Sequence, residues 1–176
     1  MQQSLQDGLK KFVEGSGKKP ETLHKGTVPG FDFSEKFGVS GFYFDTSAVK
    51  GWFKTKIKSI KNKTNFNPPE ILSFFTSQVK VVSYLVKEEL YGQYKGILTE
   101  REFEDSWHEF LASMNFSVLE EEKFQKIKRK IGYDAAHIEI SQKYNFLLVS
   151  NDDGMRRKSP LALNDVELLK KIQDLS

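Results

Sequence analysis

Short apolar runs alternate along the chain with segments in which apolar residues recur at helical spacing. The runs Gly41 to Phe44, Val79 to Val82, Phe116 to Leu119 and Phe146 to Ser150 are typical of short buried strands. Periodic segments between them predict helices over about 46–64, 83–94, 99–114, 121–130, 134–144 and 161–172. Strands that alternate with helices favour a parallel sheet covered on both faces. We therefore expect an α/β protein with three α/β/α layers around a small, mainly parallel, Rossmann-like sheet.

The first 39 residues differ in pattern from the rest. A short amphipathic piece runs into Gly-Ser-Gly-Lys-Lys-Pro and then Val-Pro-Gly, and both are turn or linker signals. We interpret 1–39 as a loosely attached extension, with its aromatic residues Phe31, Phe33 and Phe37 packed as an arm on the body. Residues 40–158 then form the main domain, and 159–176 end the chain as a helix packed on it.

The composition excludes several classes of functional site but does not identify the function. The chain has 176 residues, of which 38% are apolar, and this suits one core of ordinary size. The absence of cysteine excludes disulfides, thiolate zinc sites, iron–sulfur clusters and a cysteine nucleophile. No targeting pattern and no apolar stretch near the roughly 20 residues of a membrane span are visible. We expect a cytoplasmic protein with no membrane partner.

Carboxylates fall where a parallel sheet places its ligand site, outside the carboxyl ends of the strands. Asp45 ends the first strand, Glu89 lies in the helix after the second, Asp134 opens the helix before the last strand, and Asp152 follows that strand. Like charges a few ångströms apart raise each other's pKa values unless a cation lies between them. Hard oxygen ligands favour Mg²⁺ or Mn²⁺ over zinc.

Each acid also has a purely structural interpretation. Asp45 and Asp134 suit helix N-caps, Glu89 pairs with Glu88 as a solvated charge, and Asp152 opens an ordinary turn. Their joint position at one edge of the predicted sheet favours the metal site.

Four blocks of sequence resemble the signature blocks of PIN-domain nucleases, the family of the VapC-like ribonucleases. They are Phe-Tyr-Phe-Asp-Thr-Ser-Ala-Val from 42, Ser-Tyr-Leu-Val-Lys-Glu-Glu-Leu from 83, Asp-Ala-Ala-His-Ile-Glu-Ile from 134 and Leu-Leu-Val-Ser-Asn-Asp from 147. Their order and spacing also fit, and the resemblance covers about residues 40–157. About 40 residues precede the first block, whereas PIN domains of the small toxin type begin close to it.

The resemblance implies a PIN-like fold and a Mg²⁺- or Mn²⁺-dependent endoribonuclease that cuts single-stranded RNA. Transferred to this sequence, the catalytic and metal-binding residues are Asp45, Glu89, Asp134 and Asp152, with Thr46, Ser150 and Asp153 supporting them. Glu88 competes with Glu89 for the metal, and His137 is interpreted as structural. As a toxin, the protein would have an antitoxin partner, and many PIN domains form homodimers. The alternatives are an RNA-processing nuclease and a catalytically silent module that binds nucleic acid or protein.

An acidic site needs basic surroundings to hold a polyanion. Basic residues flank the predicted blocks, and we assign RNA binding to Lys50, Lys54, Lys58, Lys130, Arg156 and Arg157. The alternative for the helix lysines is a solvated face without function. Trp52 and Tyr91 could stack on bases, although for Trp52 we favour packing in the core.

Overall fold

The structure, a computed structural model, describes residues 33–75, 78–119, 132–159 and 161–175. Five strands lie within these ranges: β1 (Gly41–Phe44), β2 (Lys80–Ser83), β3 (Ser117–Leu119), β4 (Phe146–Val149) and β5 (Ala162–Leu163). The helices are α1 (Phe33–Phe37), α2 (Thr46–Asn62), α3 (Tyr84–Tyr94), α4 (Glu100–Met114), α5 (Tyr133–Lys143), α6 (Asp153–Lys158) and α7 (Asp165–Leu175). A 3₁₀ helix covers Glu70–Phe75.

The strands form one parallel sheet in the order β3-β2-β1-β4-β5. β1 lies at its centre, with Phe42 opposite Lys80 of β2 on one side and Leu147 of β4 on the other. The first three strands build the sheet in one direction, and the chain then returns to the opposite side of β1 to add β4 and β5. The predicted parallel α/β fold is confirmed.

Alternating side chains of the strands enter two separate apolar layers, because successive residues of a strand point to opposite faces. Phe42 and Phe44 belong to the larger cluster, which contains buried residues of α2, α4 and α7. Tyr43, between them, belongs to the smaller cluster, together with Ala136 and Ile140 of α5. Helices therefore cover both faces of the sheet, and the architecture is the three-layer α/β/α arrangement expected from the alternating pattern.

Local signals place several helix ends where the sequence predicted them. The Asp45 side chain accepts a hydrogen bond from the Ala48 amide and caps α2. Thr99 and Glu102 form the predicted capping box at the start of α4. α3 begins directly after Ser83, but the Ser83 hydroxyl makes no capping bond and instead pairs with a tyrosine of β1.

Other boundaries differ from the expectation. The helix predicted from residue 161 begins at Asp165, because Ala162–Leu163 pairs with β4 as an edge strand. Asp153–Lys158 forms a short helix where a turn was the ordinary interpretation. α5 begins at Tyr133 after Gly132, which has a φ of 84°, so Asp134 is its second residue and not its cap. The helix expected over 121–130 lies outside the described residues.

The end of the proposed extension contacts the body of the protein. Phe33–Phe37 is helical, the Phe37 ring lies 6.0 Å from that of Phe42, and Val39 is buried. The expected aromatic packing therefore holds for Phe37, whereas Phe31 and the rest of 1–32 lie outside the described residues. Over the ranges that the structure covers, none of the helices has the length and apolar character required to cross a bilayer.

Candidate functional site

The strand order reverses between β1 and β4, which makes the carboxyl ends of these two strands a topological switch point, and we call the space outside them the crevice. In open parallel sheets the loops on either side of such a point diverge to opposite faces, and ligands bind between them. Asp45 follows β1 directly, and Ser150, Asn151 and Asp152 follow β4. The fold therefore brings the first and last predicted acids to neighbouring strand ends.

Asp45 is the most deeply buried acid of the predicted set, with only 1% of its surface exposed. Its Oδ1 accepts hydrogen bonds from the Ser47 hydroxyl at 2.7 Å and from the Ala48 amide at 2.9 Å. Its Oδ2 is buried and accepts no hydrogen bond from any described residue. Burial raises the pKa of Asp45, while Ser150, Ser47, the Ala48 amide and the charge of His137 lower it. A buried oxygen without a partner is costly, and a water molecule, a proton or a cation would each satisfy it.

Glu89 lies on α3 and is held by groups from two other elements. Its Oε2 accepts a hydrogen bond from the Thr46 hydroxyl, at the start of α2, and one of 2.7 Å from Nε2 of His137, on α5. Thr46 and His137 are 7% and 1% exposed, whereas the Glu89 side chain is 22% exposed. Both of these bonds fall on one carboxylate oxygen, so Glu89 is fixed in orientation while it still reaches the surface.

A buried chain of hydrogen bonds continues from His137 into the sheet. Nδ1 of His137 pairs with the Tyr43 hydroxyl, which lies 2.7 Å from the Ser83 hydroxyl. A carboxylate can only accept, so Nε2 of His137 carries the proton shared with Glu89. In a neutral imidazole Nδ1 then accepts from Tyr43, and the Tyr43 oxygen accepts from Ser83. Burial raises the pKa of Tyr43 well above its ordinary value, so this hydroxyl keeps its proton.

Serine hydroxyls connect the ends of β1 and β4. The Ser47 and Ser150 hydroxyl oxygens are 3.2 Å apart, and Ser47 accepts a hydrogen bond of 2.8 Å from the Asn151 amide. Ser150 accepts one of 3.1 Å from the Asp152 amide. Asp152 itself caps α6, since its Oδ1 accepts from the Met155 amide at 2.8 Å. Asp45 and Asp152 are thus linked indirectly, through the hydroxyls of Ser47 and Ser150.

The remaining predicted acids are less closely tied to this framework. Asp134 is exposed and makes no hydrogen bond or ion pair with the described residues. Asp153, expected to support the ligands, instead pairs with Arg156 at the surface. Within the ranges that the structure describes, no three histidine or acidic side chains stand together as a ready set of metal ligands. The fold gathers Asp45, Glu89 and Asp152 around one sheet edge without bringing their carboxylates into a single cluster.

The predicted basic residues have unlike environments. Lys50, Lys54 and Lys58 are exposed on α2, whereas the neighbouring Lys56 is buried and lies 3.2 Å from Glu109. Arg156 is occupied within the protein, because it donates to the Ser150 carbonyl and pairs with Asp153. Arg157 is exposed, and Lys130 lies outside the described residues. Trp52 packs on the core, with its ring 5.9 Å from that of Phe44, and Tyr91 is 37% exposed.

Sequence reasoning named Ser150 as a supporting residue but gave no role in the site to Tyr43, Ser47 or Ser83. Tyr43 is a lone hydroxyl in a strand of otherwise apolar residues, Gly-Phe-Tyr-Phe, and that was the available signal. Ser47 and Ser83 lie inside the blocks that define the resemblance, but their partners are 103 and 40 residues away in sequence. Only the assembled sheet reveals these pairs.

Comparisons with known proteins give a structural likeness and no match to a family model or a curated protein. Among solved structures, the chain is similar to the crystal structure of PAE2754 from Pyrobaculum aerophilum, at 16% identity and a TM-score of 0.46. The match covers 76% of this chain and 96% of that one. A likeness at this level carries no functional argument.

Proposed function

We propose that the protein is a Mg²⁺- or Mn²⁺-dependent endoribonuclease of the PIN type that cleaves single-stranded RNA. The observation that carries the proposal is Asp45, a carboxylate only 1% exposed whose Oδ2 has no described partner, at the switch point of the sheet. Such an oxygen is stabilised by a cation more readily than by solvent. The four sequence blocks that resemble PIN domains support the same assignment.

The available donor atoms are of the chemical type that a hard divalent cation prefers. Asp45, Glu89 and Asp152 offer carboxylate oxygens at one sheet edge, and Asp134 lies one turn before His137 on the adjoining helix. A bound Mg²⁺ or Mn²⁺ would supply charge for the phosphodiester undergoing hydrolysis and would acidify the attacking water. In this scheme Thr46 and His137 orient Glu89, Ser47 orients Asp45, and Ser150 holds the loop that carries Asp152.

Substrate binding falls to basic residues at and beside this edge. Lys50 and Lys54 are exposed on the helix that Asp45 caps, and Arg157 is exposed on the helix that Asp152 caps. Cations on both sides of an acidic crevice would hold a polyanion across it. The proposal covers two roles in the cytoplasm. The protein acts either as a toxin that a partner antitoxin restrains or as an RNA-processing nuclease. In either role it acts as a monomer or as a homodimer. A small protein that co-purifies and suppresses cleavage would favour the toxin.

A second candidate is a PIN-like module that binds RNA or protein without catalysis. It is favoured by the spacing of the acids, since the described residues contain no group of three that could hold a metal. It is also favoured by Glu89, whose Oε2 is engaged by Thr46 and His137. The two candidates differ in whether a divalent cation binds at Asp45.

The test combines RNA cleavage with metal binding. Labelled single-stranded RNA is incubated with the protein in Mn²⁺ or EDTA, beside Asp45→Asn, Asp152→Asn and the control Asp174→Asn, which alters an exposed acid of α7. Cleavage should require Mn²⁺ and be lost in the first two variants only. Mn²⁺ should also raise the Tm of the wild type and the control but not of Asp45→Asn, since a ligand stabilises the state that it binds. Cleavage that persists in EDTA and in both site variants would overturn the proposal, and Mn²⁺-independent RNA binding without cleavage would favour the silent module.

A further inference from the structure

An open cleft of about 520 Å³ lies beside the candidate site, between α6, β5 and α7. We call it the β5 cleft, and its walls carry Asp153, Arg156, Arg157, Ala162, Leu163, Glu167 and Lys171. It adjoins the crevice, because Asp153 directly follows Asp152 and because Arg156 donates a hydrogen bond of 3.1 Å to the carbonyl of Ser150. A molecule that lies in the crevice at Asp152 can therefore extend into the β5 cleft along α6.

The charges of the β5 cleft divide into an internal set and a free set. Arg156 pairs with Asp153 and has its Nε 4.0 Å from Glu167, so one arginine faces both acids of the cleft. Glu167 also accepts a hydrogen bond from the Asn164 amide at 3.0 Å. Arg157 and Lys171 are exposed and form no ion pair with the described part of the chain. These two cations are available to an anion.

The cleft also has an apolar wall, formed by Ala162 and Leu163 of the edge strand, which are both half-buried. A site that joins free cations to a short apolar surface suits a ligand with a phosphate at one end and a ring at the other. Inorganic phosphate would use only the cations, whereas a nucleotide would also cover the apolar wall.

We infer that the β5 cleft binds a nucleotide of the RNA strand next to the one held at the crevice, with its phosphate between Arg157 and Lys171. The inference rests on the proposed function, because it takes the RNA strand to cross the Asp152 end of the crevice. It gives the enzyme a second attachment point on its substrate that needs no metal.

The test uses nuclear magnetic resonance of the labelled full chain in EDTA, titrated in parallel with inorganic phosphate and with 5′-AMP. Amide shifts should map to α6, β5 and α7, and 5′-AMP should bind more tightly than phosphate. Arg157→Gln/Lys171→Gln should weaken 5′-AMP binding roughly tenfold, as expected when charge-assisted hydrogen bonds are lost. The matched control Arg101→Gln/Lys170→Gln removes two exposed cations that do not line the cleft, one of them on the same helix as Lys171, and should leave binding unchanged.

Shifts that are absent, scattered over the surface, or equal in the two double variants would overturn the inference. Equal affinity for phosphate and 5′-AMP would overturn the nucleotide assignment. Because EDTA removes the metal, these results do not depend on catalysis. Nucleotide binding in the cleft without RNA cleavage would support the β5 cleft as a site and contradict the proposed activity. RNA cleavage without nucleotide binding in the cleft would support the activity and contradict the site.

Discussion

Two ionisable side chains, Asp45 and Lys80, are buried in the protein and differ in their hydrogen bonds and in the direction of their pKa shifts. Lys80 opens β2, is 4% exposed, and donates a hydrogen bond of 3.0 Å to the carbonyl of Phe75. Asp45 has hydrogen bonds to one oxygen only. Burial disfavours the charged form of both, so it raises the pKa of Asp45 and lowers that of Lys80 to about 8. The sequence singled out Asp45 but not Lys80, although Lys80 lies within the predicted strand Val79 to Val82, because lysine is rarely fully buried.

Lys80 should make the stability of the protein rise in mild alkali. Its pKa falls from 10.5 in the unfolded chain to about 8 in the folded protein. Between these values the unfolded state binds more protons than the folded one, so the free energy of unfolding increases with pH. Relative to Lys80→Met, the wild type should gain on the order of 2 kcal/mol between pH 8 and pH 10.

Urea unfolding of both proteins across this pH range measures the effect. Taking the difference cancels titrations that the two proteins share, including those of the tyrosines. Curves that run parallel from pH 8 to pH 10 would show that Lys80 keeps its ordinary pKa in the folded protein.

At the scale of elements, the start of β1 depends on the close approach of two chain segments. A Cβ built on Gly41 would lie 2.9 Å from both the Cβ and the carbonyl oxygen of Val79. The carbonyl belongs to backbone that accepts a hydrogen bond from the Phe42 amide, so it cannot easily move away. Glycine is therefore required here by space, whereas Gly51, exposed in the middle of α2, would place a Cβ in open space.

Substitution by alanine should have opposite effects on the free energy of unfolding at Gly41 and at Gly51. Gly41→Ala should lower the free energy of unfolding by about 1–3 kcal/mol, the usual cost of overpacking. Gly51→Ala should raise it by about 0.5–1 kcal/mol, because alanine favours the helix and restricts the unfolded chain. Denaturant unfolding of the pair gives both values, and a Gly41→Ala protein as stable as the wild type would contradict the packing argument.

The bounds of helices and strands could be predicted where they depend on residues close in sequence. β1 was predicted with its observed bounds, and the Thr99–Glu102 capping box fixed the start of α4, because both depend on residues close in sequence. Ala162–Leu163 was assigned to a helix because a two-residue strand has no period, and pairing with β4 decides its conformation. Asp134 was expected to start a helix, but Gly132 with its positive φ provides the turn instead.

At the scale of the whole molecule, the sequence predicted four acids at one sheet edge, and the fold gathers Asp45, Glu89 and Asp152 there, held by contacts that the sequence did not predict. The alternation of elements predicted parallel strands, and the observed strand order places the residues after β1 and β4 side by side. The hydrogen bonds from Ser83 through Tyr43 and His137 to Glu89 join four elements. Their residues are far apart in sequence, so no local spacing predicts these bonds. For this reason His137 could be assigned a structural role without its partner being predicted.

The exposed lysines of α2 should contribute to RNA binding through their charge. Each phosphate contact on a single strand adds about 0.7 to the dependence of log affinity on log salt concentration. Lys50→Gln/Lys54→Gln should therefore reduce this slope by about 1.4 when binding of labelled single-stranded RNA is measured in EDTA.

The matched control is Lys36→Gln/Lys143→Gln, which removes two exposed lysines just before β1 and β4, at the opposite edge of the sheet. It should leave the slope unchanged. Equal slopes in the two double variants would assign the lysines of α2 to an ordinary solvated face.

The central position of β1 also sets the order in which the candidate site can form during synthesis. β1 is synthesised well before its neighbour β4, against which it is registered from Gly41↔Phe146 to Phe44↔Val149. Until β4 leaves the ribosome, it cannot pair with β1, and Asp45 lacks the Ser150 loop beside it. The candidate site at this sheet edge is therefore completed only after β4 has paired with β1.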